Sequence, residues 1–194
     1  MVQRTSQANR VRIIGGSHRG RHISFPDAAG LRPTPDRVRE TLFNWVQPFI
    51  PGSRCLDLFA GSGALGFEAA SRGAESVTLV ERNPEVAGYL RQNAQALGLP
   101  NVEVLTADAL GWLASVNGGF DLVFVDPPFA AQLLEPVLRC LVRPGLLREG
   151  TRIYLEGDAA EPFPPLPGGL VPLREKVAGQ VRYGLVQHQR LMPQ

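Results

Sequence analysis

The sequence predicts an α/β fold in which a doubly wound, mainly parallel sheet carries helices on both faces. From Arg54 onward, short apolar runs alternate with segments of helical spacing, a pattern typical of parallel strands joined by right-handed crossovers. Later in the chain, two β-like runs hinged near Gly179 predict an antiparallel hairpin at the sheet edge. The 194 residues suffice for one such domain with a small amino-terminal appendage.

The appendage is predicted to be a β-hairpin followed by a helix. Residues 11–14 and 22–25 are short β-like runs, and the glycine- and arginine-rich residues 15–21 between them indicate a flexible basic loop. Thr34 is suited to cap the helix, with Pro35 as its first residue. Helical spacing places four side chains on one apolar face of this helix: Val38, Leu42, Trp45 and Phe49.

The main domain is predicted from local strand and helix signals. Strands are expected over residues 54–58, 77–81, 102–105, 122–125 and 152–156. Helices are expected over residues 64–72 and 84–97, just after Asp108, and over residues 133–142. Gly73 is placed to stop the first of these helices, while the second has Asn83 as its cap, Pro84 at its first position and Gly98 at its end.

Composition limits the classes of function. A hydrophobic content of 44% with 20% charged residues is ordinary for a soluble globular protein, and neither a membrane-spanning segment nor a signal peptide is expected. Two cysteines are too few for a disulfide framework and lack metal-ligand spacing, so no metal site is expected. Cys55 reads as a core thiol, and the expected compartment is the reducing cytoplasm.

Charge is distributed unevenly along the chain. Residues 1–40 carry eight arginines and three acidic side chains, a balance of +5, whereas the remainder has a balance of −3. Arg37 and Arg39 are expected to lie off the apolar face of the first helix. A basic arm on a mildly acidic body predicts a polyanionic partner that the amino-terminal part contacts.

A glycine loop follows the first strand of the main domain. Gly61, Gly63 and Gly66 match G-x-G-x-x-G, and Glu81 lies twenty residues after Gly61 at the end of the next strand. Such glycines let the backbone approach a nucleotide-like ligand closely, and the acid can accept hydrogen bonds from ribose hydroxyls. The motif by itself does not separate a dinucleotide from S-adenosylmethionine.

Acidic residues at further strand ends favour S-adenosylmethionine. Asp57 precedes the glycine loop, where an anion suits a cationic amine and sulfonium better than a pyrophosphate. Asp108 with Ala109 can meet an adenine ring and its amino group. Residues 126–129, Asp-Pro-Pro-Phe, bring an acid, a fixed carbonyl and an aromatic ring to the end of another strand, beside the first in the usual strand order. This set is a receptor for a planar group bearing an NH2.

Together with other segments, these residues resemble a known family. The segments are residues 12–16 (RIIGG), 19–21 (RGR), 31–34 (LRPT), 36–45 (DRVRETLFNW), 57–66 (DLFAGSGALG), 124–129 (FVDPPF) and 174–180 (REKVAGQ). The chain is similar to class I S-adenosylmethionine-dependent methyltransferases with a (D/N)-P-P-(Y/F) motif, and most closely resembles the RsmD family of bacterial small-subunit ribosomal RNA guanine-N2 methyltransferases. The likeness covers nearly the whole chain from Arg12.

The resemblance implies a Rossmann-like fold and an activity. It implies methyl transfer from S-adenosylmethionine to the exocyclic N2 of one guanine of 16S rRNA, conventionally guanine 966, within the assembled small subunit. We expect a disordered tail over residues 1–10, a basic RNA-contacting hairpin and helix over 11–50, and the methyltransferase domain over 51–190. The protein is expected to act as a monomer, without metal or membrane contact.

The resemblance also implies roles for individual residues. Asp126, Pro127 and Phe129 are expected to be catalytic. The expected cofactor-binding residues are Asp57, Phe59, Ala60, Gly61, Gly63, Glu81, Arg82, Asp108, Ala109 and Asp126. The expected RNA-binding residues are Arg12, Arg19, Arg21, Arg32, Arg37, Arg39 and Lys176.

Four other functions are compatible with parts of the pattern. A DNA adenine methyltransferase and a protein-glutamine methyltransferase use similar sites, although the chain lacks a sizeable DNA-recognition insert and its basic hairpin disfavours a purely protein substrate. A nicotinamide dehydrogenase accounts for the glycines but leaves Asp57 and the Asp-Pro-Pro-Phe segment without a role. A non-catalytic ribosome assembly factor needs only the basic arm.

Overall fold

The computed structural model describes residues 9–28, 31–128 and 132–189. Its strands are β1 (Asn9–Arg12), β2 (His22–Phe25), β3 (Arg54–Asp57), β4 (Ser76–Glu81), β5 (Val102–Thr106), β6 (Phe120–Val125), β7 (Leu147–Asp158), β8 (Leu170–Ala178) and β9 (Val181–His188). Its helices are α1 (Asp36–Val46), α2 (Ala64–Ser71), α3 (Pro84–Leu97), α4 (Ala109–Ser115) and α5 (Leu134–Leu141), with a short 3-10 turn at Gln47–Phe49.

The large sheet has seven strands within these residues, in the order β5-β4-β3-β6-β7-β9-β8. The first five run parallel, whereas β9 is antiparallel to both β7 and β8. The predicted α/β class, the parallel sheet and the antiparallel hairpin at its edge are therefore confirmed. Because β3 pairs with β6, the glycine loop and the Asp-Pro-Pro segment follow neighbouring strands, as expected.

Each face of the sheet has its own apolar core. One core joins the sheet to the β1–β2 hairpin, α1, α2 and α3, and the other joins it to α4 and α5. The central strands are apolar on both faces because helices cover both faces, as in doubly wound sheets generally. Cys55 belongs to the first core and is buried, as predicted.

The helix-end signals in the main domain behave as the sequence predicts. The Asn83 side chain accepts hydrogen bonds from the amides of Glu85 and Val86, and Pro84 opens α3. Gly98 ends the helix at φ 67°, a conformation that costs a residue with a Cβ more than it costs glycine.

The amino-terminal segment differs from the prediction in three details. Asn9 and Arg10 belong to β1 and not to a disordered tail, while residues 1–8 lie outside the described part of the chain. Pro35, and not Thr34, occupies the cap position of α1, and no side chain caps this helix. Phe49 leaves the apolar face because the chain tightens into the 3-10 turn, and its ring lies exposed beneath the Arg152 guanidinium, 4.3 Å from the ring centroid.

Strand β7 is twelve residues long, whereas the sequence predicts five. Its first half contains Arg148, Glu149 and Gly150, which hide the strand from a pattern based on apolar residues. These positions still belong to the strand because Leu147 pairs with Phe120 across an irregularity in the β6–β7 register. The extra residues are 147–151 before the predicted strand and 157–158 after it.

Candidate active site

The candidate site lies where the parallel strands end, the edge at which open α/β sheets bind ligands. Asp57 ends β3, Glu81 ends β4, Asp126 follows β6, and Glu156 stands near the end of β7. Because side chains alternate along a strand, register places Asp57, Asp126 and Glu156 on one face of the sheet, the face covered by α1. The sheet therefore collects acidic side chains around one small region.

The glycine loop binds the flanking acids through its backbone. The Gly61 amide donates to Glu81 Oε2 at 3.0 Å, and the Gly66 amide donates to Asp57 Oδ2 at 3.1 Å. Gly63 stands at φ 80° at the cap of α2, and a Cβ there would come within 2.6–2.7 Å of the Phe67 ring and of Leu90. The loop thus fixes the acids and the start of α2 together, and Gly63 is demanded by packing as well as by backbone conformation.

Asp57 is a buried carboxylate whose hydrogen bonding is incomplete. Its side chain is 1% exposed, and its Oδ1 has no hydrogen-bond partner among the described residues. Burial raises the pKa of Asp57 to about 7, an effect that the Gly66 hydrogen bond and the nearby Phe59 amide oppose and the charge of Glu81 adds to. A buried, unpaired carboxylate oxygen is costly unless a cationic or hydrogen-bonding ligand completes it.

Glu81 and Asp108 lie on the other side of the glycine loop. The Asn83 amide donates to Glu81 Oε1 at 2.8 Å, so both carboxylate oxygens of Glu81 are fixed by backbone while each retains a free lone pair. Asp108 is exposed and caps α4 through a 2.9 Å hydrogen bond from the Gly111 amide. Phe59 is half-buried and Ala60 and Ala109 are buried, while Arg82 is exposed.

A second group of polar residues surrounds Asp126. The Thr34 hydroxyl donates to Asp126 Oδ2 at 3.4 Å, and the Tyr154 hydroxyl donates to Glu156 Oε2 at 2.7 Å. The Asp126 side chain retains some solvent access, yet protein surrounds its carboxylate, and this burial together with the charges of Glu156 and Asp57 raises its pKa well above the usual range. Burial also raises the pKa of Glu156 to about 6. Pro127 is buried, and Phe129 lies outside the described residues.

Comparisons with known proteins identify the family. A family model described as "Conserved hypothetical protein 95" matches residues 11–187. Ribosomal RNA small subunit methyltransferase D of Escherichia coli (strain K12) is 46% identical over 184 residues, covering 95% of this chain and 93% of that protein. The chain belongs to the RsmD family. The protein of the same name from Haemophilus influenzae is 42% identical, with coverage of 96% and 98%. The solved structure of Escherichia coli yhhF superposes with a TM-score of 0.88 at 44% identity, covering 93% of this chain and 99% of that one.

The described residues of this RsmD-family chain fit S-adenosylmethionine, the cofactor that the sequence predicts. The orphaned Oδ1 of Asp57 is an acceptor for a cationic amine, and the fixed carboxylate of Glu81 is an acceptor for ribose hydroxyls. A Cβ at Gly61 would be in ordinary contact with Leu31, 3.5 Å away, and with the Phe59 carbonyl oxygen, 3.8 Å away, so the protein does not pack tightly over its Cα. The individual cofactor contacts stay predictions.

The prediction that Arg39 binds RNA is wrong, because its side chain is buried and not available to RNA. Its side chain is 1% exposed; Nη2 lies 2.6 Å from Asp36 Oδ1, and Nη1 lies 3.8 Å from Glu68 Oε2. Glu68, itself fully buried, also accepts hydrogen bonds from the Ile14 amide and from Arg72 Nε. The helical pattern counts Arg39 as off the apolar face, but the hairpin and α2 close over that side of α1.

The remaining basic residues lie at two different edges of the sheet. Arg32, Arg37 and Lys176 are exposed, and Arg12 lies 4.0 Å from Asp36 at the start of α1. Arg19 and Arg21 belong to the hairpin loop, which is tied to the carboxyl ends of α2 and α3. Its bonds there include those from the Ser17 amide to the Ser71 carbonyl and from Arg21 Nη2 to the Ala96 carbonyl. Helix carboxyl ends lie at the opposite edge from the site, so this loop is far from Asp126.

The sequence analysis does not predict that three residues belong to the site: Thr34, Tyr154 and Glu156. Glu156 carries a usable signal, since the predicted fifth strand ends on it just as the other strands end near acids. Thr34 has the sequence neighbours of a helix cap, and nothing local indicates a contact 92 residues away.

Proposed function

We propose that the protein transfers a methyl group from S-adenosylmethionine to the exocyclic N2 of one guanine of 16S rRNA, conventionally guanine 966, in the small ribosomal subunit, and that it acts as a monomer. The observation that carries the proposal is the pairing of β3 with β6, which sets the Asp126-Pro127 segment beside the glycine loop and Asp57. The names of the relatives support ribosomal RNA of the small subunit as the substrate.

The chemistry follows from the acceptors at the end of β6. When bound, S-adenosylmethionine supplies an electrophilic methyl group, so neither a metal ion nor a covalent nucleophile is needed. The lone pair of the guanine amine is delocalised into the ring. Asp126 and the Pro127 carbonyl accept its two N–H groups, which orients the nitrogen and favours a pyramidal geometry with the lone pair available. Phe129 is proposed to stack on the base after it leaves its helix.

RNA is proposed to follow the face of the sheet that carries Asp126. Glu156 pairs in register with Tyr183, and Tyr183 pairs with Lys176, so one cross-strand row leads from the site to the outer edge. The Trp45 ring stacks on Tyr183 at 5.5 Å between centroids, and the Lys176 ammonium lies 5.8 Å from Trp45. With Arg174 beside Trp45, this row ends in two cations that suit phosphates.

The basic residues at the edge of the sheet that carries the site are proposed to contribute more to RNA binding than Arg19 and Arg21 at the opposite edge. Arg12, Arg32 and Arg37 flank the start of α1, and Thr34, two residues before this helix, donates a hydrogen bond to Asp126. We expect charge reversal at Lys176 to weaken RNA binding and to lower its salt slope by about one unit for each phosphate that is no longer bound. Arg19→Glu is the matched variant at the opposite edge, and we expect a smaller effect there.

The test is methylation of small subunits from a strain lacking the gene, followed by mapping of the modified nucleotide and atom. Asp126→Ala should bind S-adenosylhomocysteine and RNA but lose roughly 10²–10⁴-fold in single-turnover rate, the range for a positioned acid–base group. A methyl group on an adenine or a protein, or subunits whose methylation does not depend on the enzyme, would contradict the proposed function. The last result would favour a non-catalytic assembly factor.

A further inference from the structure

Glu156 is a buried acid that the proposed chemistry leaves without a role. Its side chain is 4% exposed, and it stands two residues beyond Tyr154 on the same face of β7. Carboxylates are rarely buried this deeply unless they are paired, and no cation contacts Glu156 among the described residues. A buried acid beside a catalytic acid therefore needs an explanation in terms of a ligand.

The register of β6 and β7 sets Glu156 beside Asp126. Val125 pairs with Leu155, so the next residue of each strand, Asp126 and Glu156, follow side by side on the face covered by α1. The Thr34 hydroxyl, which donates to Asp126, also favours the ionised form of Glu156. The unpartnered Oδ1 of the buried Asp57 on the same face independently indicates that a ligand belongs here.

The hydrogen-bonding edge of guanine matches two adjacent acceptors. Guanine presents N1–H and the N2 amino group next to each other, and both groups donate hydrogen bonds. Adenine presents an amino group beside N1, which is an acceptor with a lone pair. An ionised carboxylate is an acceptor only, so it attracts N1–H of guanine and repels N1 of adenine. Asp-Pro-Pro-Phe alone accepts the amino group of either base.

We propose that Glu156 accepts the N1–H of the target guanine and so selects guanine against bases that lack this hydrogen. The inference rests on the proposed function, since it assigns the part of the site that reads the base whose N2 is methylated. Asp126 holds the reacting amine, and Glu156 is the specificity-determining neighbour.

The surroundings of Glu156 keep it in the accepting form. Burial raises the pKa of Tyr154 well above its usual range, so its hydroxyl keeps its proton and donates a hydrogen bond to Glu156 Oε2. The groups facing Glu156 are Asp126, Tyr154 and Thr34, with Tyr183 in register on β9. The pKa of Glu156, at about 6, leaves it mostly ionised at neutral pH and above.

The test uses 2-aminopurine, which keeps the 2-amino group of guanine but has a lone pair at N1 in place of N1–H and has no O6, so the Glu156→Gln variant separates recognition of N1 from recognition of O6. Small subunits are reconstituted with splint-ligated 16S rRNA that carries guanine or 2-aminopurine at the nucleotide methylated by the wild type. Single-turnover rates are measured with wild type, Glu156→Gln and the control Asp158→Asn, which removes an exposed carboxylate two residues further along β7. S-adenosylhomocysteine affinity reports that each variant is folded.

We expect the wild type to prefer guanine by roughly 10- to 10²-fold, the effect of one hydrogen bond to a charged group. Glu156→Gln should lose a similar factor on guanine and gain on 2-aminopurine, because the glutamine amide can donate to N1. Asp158→Asn should leave the ratio unchanged. Equal wild-type rates on both bases, or a Glu156→Gln variant that slows both bases equally, would overturn the inference. Equal wild-type rates overturn the inference even where a variant fails to fold, and absence of methyl transfer to guanine N2 by the wild type would instead refute the proposed function.

Discussion

Asp57→Asn is expected to make the ligand-free protein more stable while it weakens the cofactor. The ordinary pKa of an aspartate is 3.8, and burial raises that of Asp57 to about 7. Holding the ionised form in the fold therefore costs about 4 kcal/mol above pH 7, at ~1.36 kcal/mol for each pKa unit. Asparagine carries no charge, and its side-chain oxygen can still accept the Gly66 amide.

The sign of the pH dependence follows from proton binding. Between about pH 4 and pH 7, the folded wild type holds a proton on Asp57 that the unfolded chain has released, so stability falls as the pH rises and levels off above the folded pKa. The cost of Asp57 is then about 4 kcal/mol at pH 8 and between about 1 and 2 kcal/mol at pH 5. Glu156 shifts in the same direction and is common to both proteins, whereas the charge of Asp57 helps to raise the pKa of Asp126, so Asp57→Asn also makes ionised Asp126 less costly and adds to the gain.

The assay is urea unfolding of wild type and Asp57→Asn at pH 8 and pH 5, without ligand. The free energies of unfolding are compared only where the two proteins show the same dependence on urea concentration. We expect the variant to be more stable by roughly 2–4 kcal/mol at pH 8, and the gain to shrink by about 2–3 kcal/mol at pH 5. Asp158→Asn, an exposed carboxylate, should show neither effect. Calorimetry with S-adenosylhomocysteine should show affinity loss on the order of 10–10²-fold for Asp57→Asn. A variant no more stable than wild type at pH 8, or equally stabilised at both pH values, would refute the reasoning.

Other variants probe the glycine loop and the buried ion pair. Glu81→Ala should weaken S-adenosylhomocysteine by about 1.5–3 kcal/mol in calorimetry, because a fixed charged acceptor is lost, and unchanged affinity would remove it from the cofactor site. Gly63→Val should lower the thermal midpoint as well as cofactor affinity, since its Cβ would collide with neighbouring side chains, and a variant with wild-type stability would show that the loop can relax. Arg39→Met should destabilise the protein by about 3–5 kcal/mol, because it leaves the buried charge of Glu68 short of a partner, and the paired change Arg39→Met with Glu68→Gln should recover part of this loss.

The sequence predicts the parts of this structure that depend on local signals. Gly61, Glu81 and Asp126 lie at strand ends, and an apolar strand that stops at a glycine or an acid can be recognised from its own few residues. The parallel order of β3 and β6 follows from general rules of α/β folds. For these reasons the acids around the glycine loop could be assigned to one edge before any contact was known.

The missing parts depend on register and on packing between distant segments. Glu156 becomes a neighbour of Asp126 only through the β6–β7 pairing, and Thr34 reaches Asp126 only once α1 lies across the sheet. Arg39 has the position of a surface residue in the helical pattern, yet the hairpin and α2 bury it. The basic loop containing Arg19 has the composition of a phosphate-binding segment, and its location at the far edge cannot be inferred from composition.

Glu68 has a consequence for the order in which the chain can assemble during synthesis. It binds Ile14 of the hairpin, Arg39 of α1 and Arg72 of its own helix, and the hairpin loop is further tied to the Leu97 carbonyl through His18. A ribosome making this protein delivers the hairpin and α1 before α2 and α3, when their buried faces lack the helices that cover them and Arg39 has only Asp36 of its own helix as an ionic partner. The hairpin and α1 therefore complete their native contacts only after α3 has emerged, when half of the chain has been made.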